Sequence, residues 1–304
     1  MRCVAVLGLI LASSPLRAQD LPSTPGTLTQ PQIQQLIRTV ADKDIENDKK
    51  LKNYTYVENG VEQKLDGKGN VKSTESKTYE VLEIDGEQVQ RLVAKDGKPL
   101  SDKEAAKEEE KIQKIVDKAK SESDDDRRKR KEKQDKEVEE GREFEKEVAD
   151  AYNFTLRGIE PLNGRDAYVI DAEPRPGFQP HVKDANMLPK FRFRAWIDKD
   201  ELQWAQIDAE CIDTVSFGLF LVRLHKGSHL HFEQTRVNDE VWLPKHAVVK
   251  FDARIALFKE LSANLDFTFR DYKKFRTDYK IIPGAEVTGQ PSSSDSTDKE
   301  KAPR

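Results

Sequence analysis

The sequence predicts an α+β protein: a curved, mostly antiparallel half-barrel of about nine to eleven strands, covered by helices and carrying an inserted charged helical arm. Three observations lead there. From about Tyr152 onward, apolar and polar residues alternate at a period of two. Phe191, Phe193, Ala195 and Ile197 fall on one side of a strand and Arg192 and Arg194 on the other, and the pattern returns at Leu230–Glu233 and Leu265–Arg270. A helix with a single apolar stripe precedes these strands. Between the two lies a segment, 101–148, that is charged almost throughout.

The elements follow in order. Residues 1–18 have the pattern of an export signal: Arg2, an apolar run from Val4 to Ala12, then Pro15 and a small residue at Ala18. The run is far shorter than the roughly 20 residues a bilayer-spanning helix needs, and no later segment qualifies, so no transmembrane segment is expected. Loss of the signal removes Cys3 and leaves Cys211 without an intramolecular partner. Residues 19–28 form a Pro/Thr/Gly linker. A helix then starts with Thr29 as N-cap and Pro31 in its first turn, and Ile33, Leu36, Ile37, Val40 and Ala41 make its stripe.

Asn53–Lys95 has the pattern of a three-strand meander, with turns at Asp66-Gly67 and Asp85-Gly86, and Asp96-Gly97 closing the set. Segment 101–148 holds 15 Lys/Arg and 18 Asp/Glu, with one short stripe at Ile112, Ile115, Val116 and Ala119 and a second at Phe144, Val148 and Tyr152. Two helices joined by a solvated segment over 121–136 are expected there, supported by i,i+4 charge pairs. Strands near 152–160 and 165–173 turn at Asn163-Gly164, and a Pro-rich loop follows. Further strands fall near 190–198, 201–212, 217–224, 229–237, 241–253 and 263–275. Residues 29–282 thus make one domain with 101–148 inserted, and 283–304 form a polar, disordered tail.

The chemistry is weighed residue by residue. A formal charge of −4 gives no reason to expect nucleic acid, and the basic run Arg127–Lys131 is offset by Asp124–Asp126 beside it. There is no Gly-x-Ser-x-Gly elbow, Cys211 lacks a nucleophile signature, and Gly67-Lys68-Gly69 lacks phosphate-loop spacing; no catalytic residue and no enzyme activity are expected. His225, His229 and His231 are close in sequence, and His229, His231 and Glu233 share a strand face. Zinc asks for more ligands than that spacing supplies, so the face is taken as the wet side and no metal is expected. What remains is aromatic and aliphatic. Phe193, Phe232, Phe251, Phe267 and Phe269, with Leu219 and Leu221, are expected to line one concave apolar surface.

Three stretches carry a family resemblance: Ala195–Leu202 (AWIDKDEL), Asn238–Lys245 (NDEVWLPK) and Thr268–Phe275 (TFRDYKKF). Their order and spacing resemble the outer-membrane lipoprotein-sorting superfamily of LolA, LolB and RseB, over about residues 150–282. The resemblance implies a periplasmic half-barrel that holds lipid or the acyl chains of a lipoprotein, and it implies no cofactor. The charged arm at 101–148 has no counterpart in those carriers. Two functions therefore stand: an exported carrier, periplasmic or secreted, for an apolar ligand, or a non-enzymatic envelope interaction or sensor protein whose arm contacts a protein partner.

Overall fold

The structure is a computed structural model that describes residues 28–182, 184–217, 222–255 and 259–275. The expected export signal, all but Leu28 of the linker, Leu219, Leu221 and the expected tail lie outside the described residues.

Helix α1 (Gln30–Leu51) begins where the N-cap signal placed it, with the Gln32 carboxamide oxygen accepting from the Thr29 N–H at 2.8 Å and from its hydroxyl at 3.0 Å. Its stripe is buried as expected, and the helix then continues ten residues beyond Ala41 to end against the first strand. The strands are β1 (Tyr54–Leu65), β2 (Val71–Ile84), β3 (Glu87–Lys95) and β4 (Lys98–Pro99), followed after the helical arm by β5 (Tyr152–Leu162) and β6 (Arg165–Pro174). Then come β7 (Phe191–Asp198), β8 (Trp204–Cys211), β9 (Val215–Phe217), β10 (Val222–Leu224), β11 (His229–Val237), β12 (Val241–Ile255) and β13 (Lys259–Lys274). Together they form one open sheet of 13 strands in the order β4-β3-β2-β1-β13-β12-β11-β8-β7-β6-β5, with β9 and β10 attached to the end of β12. Thirteen exceeds the expected count for two reasons. The strand expected at 217–224 is represented by two short pieces, and the chain after Asp96-Gly97 adds the two-residue β4.

Hairpin chemistry sets the register. Asp85-Gly86, Asp96-Gly97, Asn163-Gly164 and Asn238-Asp239 all have positive φ at both positions, the geometry whose twist matches that of the flanking strands. Because paired residues share a face, the ladder can be followed across the sheet. One row runs Phe193–Ala209–Leu230–Val249–Leu265, and the next runs Ala195–Ile207–Phe232–Ala247–Phe267–Gly60. Gly60 is where the Phe267 ring crosses β1: a Cβ there would stand 3.0 Å from Cε1 of that ring. The opposite face carries Asp208–His231–Val248–Asp266 and Gln206–Glu233–His246–Thr268, so the alternation of wet and dry sides holds across the sheet.

The main core lies under one end of the apolar face. The α1 stripe packs on Tyr152, Phe154, Tyr168, Ile170 and Ile197, joined by Phe178 and Leu188 of the Pro-rich segment, where a 3₁₀ turn (Ala185–Lys190) forms. Further along α1, the buried Asn47 side chain accepts from the Trp242 N–H at 2.7 Å and donates to its carbonyl at 2.6 Å. That double bond pins the helix to β12. Around it the three motif stretches meet. Asp198, 1% exposed, accepts from Arg165 at 2.5 and 2.9 Å and from the backbone N–H groups of Asp200 and Glu201. The Trp242 indole donates to Glu201 at 2.6 Å and has the Arg165 guanidinium over its ring at 5.7 Å. Tyr272 donates its hydroxyl to the Pro244 carbonyl. Arg165 on β6 and Trp242 on β12 are four strand steps apart, about 19 Å in a flat sheet. Their contact requires the sheet to curl at this end.

The arm differs from expectation in one respect. Helices α2 (Asp102–Ser121) and α3 (Asp124–Ala151) are separated only by Glu122 and Ser123, so the apolar-free stretch expected to be a solvated joint is helical almost throughout. The Ser123 hydroxyl caps α3, Asp124–Asp126 sit at its positive end, and pairs such as Lys133–Glu137 and Lys136–Glu140 support its exposed length. α2 packs on β2 and β3, burying Ile112. α3 bridges the two edges of the sheet. Near its start Arg130 pairs with Asp85 of the β2–β3 turn at 2.6 Å, Arg142 and Lys146 reach Asp42 of α1, and its last residue leads directly into β5. Side chains also meet both edges: the Gln30 carboxamide bonds the backbone N–H and carbonyl of Phe154, and Glu108 accepts from the Leu92 N–H.

Replacing Asn47 with Ala leaves the Trp242 backbone groups unpaired in a buried position. The expected loss is about 1–3 kcal/mol of unfolding free energy, measured by urea denaturation, with the Asp variant unable to restore both bonds.

Candidate functional site

The helices cover the two ends of the apolar face and leave its middle bare. α1 and α3 occupy the β5–β7 end and α2 the β2–β3 end. Between them Ile207, Phe232, Val249, Leu265, Phe267 and Phe269 are only half-buried, and Leu230 is 38% exposed. This strip is the floor of the half-pipe. Of the residues expected to line it, Phe232, Phe251, Phe267 and Phe269 share the face with one another. Phe193 is on the same face but at its covered margin, its ring packed edge-on against Tyr152 at 4.9 Å and near Phe154 at 6.5 Å. Leu219 and Leu221 belong to the undescribed segment.

The floor continues toward α2 through residues that strand alternation alone did not single out. Tyr56 stacks with Tyr272 at 5.2 Å and with Phe269 at 6.1 Å. Beyond it Tyr56, Val81, Gln88, Gln90, Lys111 and Ile115 line a groove of about 490 Å³, open to solvent, between the sheet and α2. Gln88, Gln90, Lys111 and the Tyr56 hydroxyl make it about as polar as apolar. Burial raises the carboxyl of Glu58 above its ordinary range, although Gln90 donates to it at 3.1 Å, and burial pushes the Tyr56 hydroxyl up to about 12. A second cavity, about 110 Å³, lies at the Arg165–Asp198–Trp242 end, where Arg165, Asp198 and Arg236 line it together with Leu162, Ala205 and Trp242. Among the described residues the half-pipe thus has a half-buried apolar floor with polar groups at its margins. The periodicity of Tyr54 and Tyr56 and the α2 stripe were the available sequence signals; what placed them together was the β1–β13 pairing.

The seam that holds α3 on α1 is unusually acidic. Burial, with Asp48 nearby, pushes Asp44 of α1 up to about 7; burial, with Asp44, Asp48 and Asp42, pushes Glu145 of α3 up to about 8. One oxygen of each is enclosed without a hydrogen-bond partner.

The histidines separate. His225 faces Glu260 at 3.4 Å, while His229 and His231 both approach Asp208 on the polar face, at 3.6 and 2.7 Å. His246, which sequence spacing did not connect with them, stands directly across the ladder from Glu233 and beside His231.

No family model matches the chain, and no curated protein matches it. Solved structures do. A DUF1329 family protein from Desulfovibrio piger is 14% identical, covering 78% of this chain and 92% of its own, at a TM-score of 0.29. An outer membrane lipoprotein-sorting protein domain from Vibrio parahaemolyticus is 10% identical, with coverages of 79% and 95% and a TM-score of 0.30. A LolA superfamily protein from Nitrosomonas europaea is 10% identical, with coverages of 79% and 94% and a TM-score of 0.28. No helix among the described residues is long and apolar enough to cross a membrane.

The acidic seam predicts a pH dependence with a definite sign. Folded Asp44 and Glu145 keep their protons at pH values where the unfolded carboxyls have lost them. Stability is therefore greatest below the unfolded value near 4 and falls as pH rises toward the folded values of about 7 and 8. Thermal melts from pH 5 to 8.5 should show Tm declining, and Asp44→Asn with Glu145→Gln should flatten the decline by raising the upper end.

Proposed function

We propose that this chain is an exported, non-enzymatic carrier whose half-pipe holds an apolar ligand, a lipid or the acyl chains of a lipoprotein, in the periplasm or outside the cell. The observation that carries this reading is the bare middle of the apolar face: ladder rows of Phe, Leu, Val and Ile that no helix among the described residues covers, continuous with the groove under α2. Hydrocarbon laid on such a floor gains about 0.8 kcal/mol per buried methylene. An acyl chain that buries about ten of them keeps several kcal/mol after ordering costs. Phe232, Phe251, Phe267 and Phe269 would contact the chain, with Phe193 at its margin. Gln88, Gln90 and Lys111 in that groove suit a headgroup or carboxylate at one end.

The arm supports the carrier reading better than the partner-docking one because it is packed at several points. Its anchors at Asp85, Asp42 and the β2–β3 surface make it part of the wall.

The test is uptake of a fluorescent fatty acid by protein stripped of co-purifying lipid. Uptake should be saturable at one or a few sites, and Phe232→Ser with Phe267→Ser should weaken it at least about tenfold while the Tm stays within a few degrees. Absence of uptake by the stripped wild-type chain, or uptake indifferent to both substitutions, would overturn the proposal.

A further inference from the structure

We propose that His231, His246 and Glu233 form a binding site for a zinc-type divalent cation on the polar face of the sheet, opposite the half-pipe. The strand ladder builds it. Glu233 and His246 are a direct cross-strand pair between β11 and β12, and His231 is two residues before Glu233 on the same face. Their donor atoms all lie within 4.8 Å of one another. His231 Nε2 is 3.0 Å from Glu233 Oε1, and the His231 and His246 rings meet edge to face with centroids 6.0 Å apart. Ligands on a tetrahedral zinc stand about 3.3 Å from each other, so side-chain rotation alone brings the three donors to a metal.

The surroundings are those a metal-bound imidazole uses. The other nitrogen of His231, Nδ1, is held by Asp208 Oδ1 at 2.7 Å from the neighbouring strand β8, the carboxylate–histidine arrangement that fixes ring orientation. Asp266 from β13 stands 3.1 Å from His246 Nε2. Two imidazoles with one carboxylate favour zinc and its neighbours in the transition series over magnesium or calcium, which take all-oxygen sites. Three protein ligands leave a fourth position for water. Without a metal, the same contacts describe a protonated His231 shared between Asp208 and Glu233, with Lys245 Nζ 3.0 Å from the other Glu233 oxygen. The two states differ in whether His246 is required.

The position also gives the ion a task. Immediately after Glu233 the β11–β12 ladder slips by one residue, pairing Gln234 with Pro244, which has no N–H to donate. An ion shared by Glu233, His231 and His246 would clip the two strands together beside this break, and the Trp242–Leu243–Pro244 stretch that anchors α1 lies just past it.

Zinc titration by calorimetry of chelator-stripped full chain at about pH 7.5, where free imidazole is neutral, tests this. One Zn²⁺ should bind per chain with a rise in Tm, magnesium should produce neither effect, and cobalt should give visible bands without a thiolate charge-transfer band. His246→Gln should abolish the site; Asp208→Asn should keep the stoichiometry and weaken affinity about 10- to 100-fold. His225→Gln, remote from the cluster, should bind as wild type. No stoichiometric binding, a thiolate band, or affinity that His246→Gln leaves unchanged would each overturn the assignment.

Discussion

Everything in this molecule depends on how a single helix settles on a sheet that is dry on one side. The α1 stripe buries its five apolar residues over β5–β7, and Asn47 then ties the helix to the backbone of β12. Hydrophobic burial is non-directional and by itself leaves the helix free to slide. The Asn47–Trp242 pair supplies direction, because a carboxamide that both donates and accepts has one productive position. With α1 fixed between distant strands, the sheet must curl, and a curled sheet with a helix at one end encloses a hollow.

The same logic explains why the hollow is not filled. α1 is used up at the β5–β7 end, and α2 is held at the other by Ile112 and the bonds of Glu108 and Lys111 to β3. α1 touches β12 only at its Trp242 end, and neither helix lies over the stretch of Phe232, Val249, Leu265 and Phe267. An enclosed core there would need apolar residues on α3 facing inward, yet the first two-thirds of α3 are almost wholly charged. The arm serves as a bridge between edges, and its solvated composition leaves the rows of Phe232 and Phe267 without a helix over them among the described residues.

Much of the architecture could be inferred from residue order. Period-two alternation located the strands from 152 to 275 and the side of each that is apolar, and Asn163-Gly164 and Asp85-Gly86 located hairpins because few other residues tolerate positive φ twice in succession. The motif stretches also come together, with Asp198, Trp242 and Tyr272 at one end of the sheet, a convergence that their order and spacing did not announce. What could not be inferred were relations between strands distant in sequence. Tyr56 meets Phe269 only because β1 pairs with β13, and His246 joins His231 only because of the β11–β12 register. The helical course of 121–136 was hidden for another reason: without an apolar stripe, its stability comes from a cap and from charge pairs, which periodicity does not register.

The two margins of the sheet have a further consequence. An open sheet ends in strands whose unpaired amides and carbonyls can recruit a strand from another molecule. Here the Gln30 carboxamide meets the Phe154 amide and carbonyl as a neighbouring strand would, while Glu108 and Lys111 engage Leu92 and Gln90 on the other side. A protein that exposes a greasy trough thereby carries side chains in place of a partner strand at Phe154 on one border and at Gln90 and Leu92 on the other.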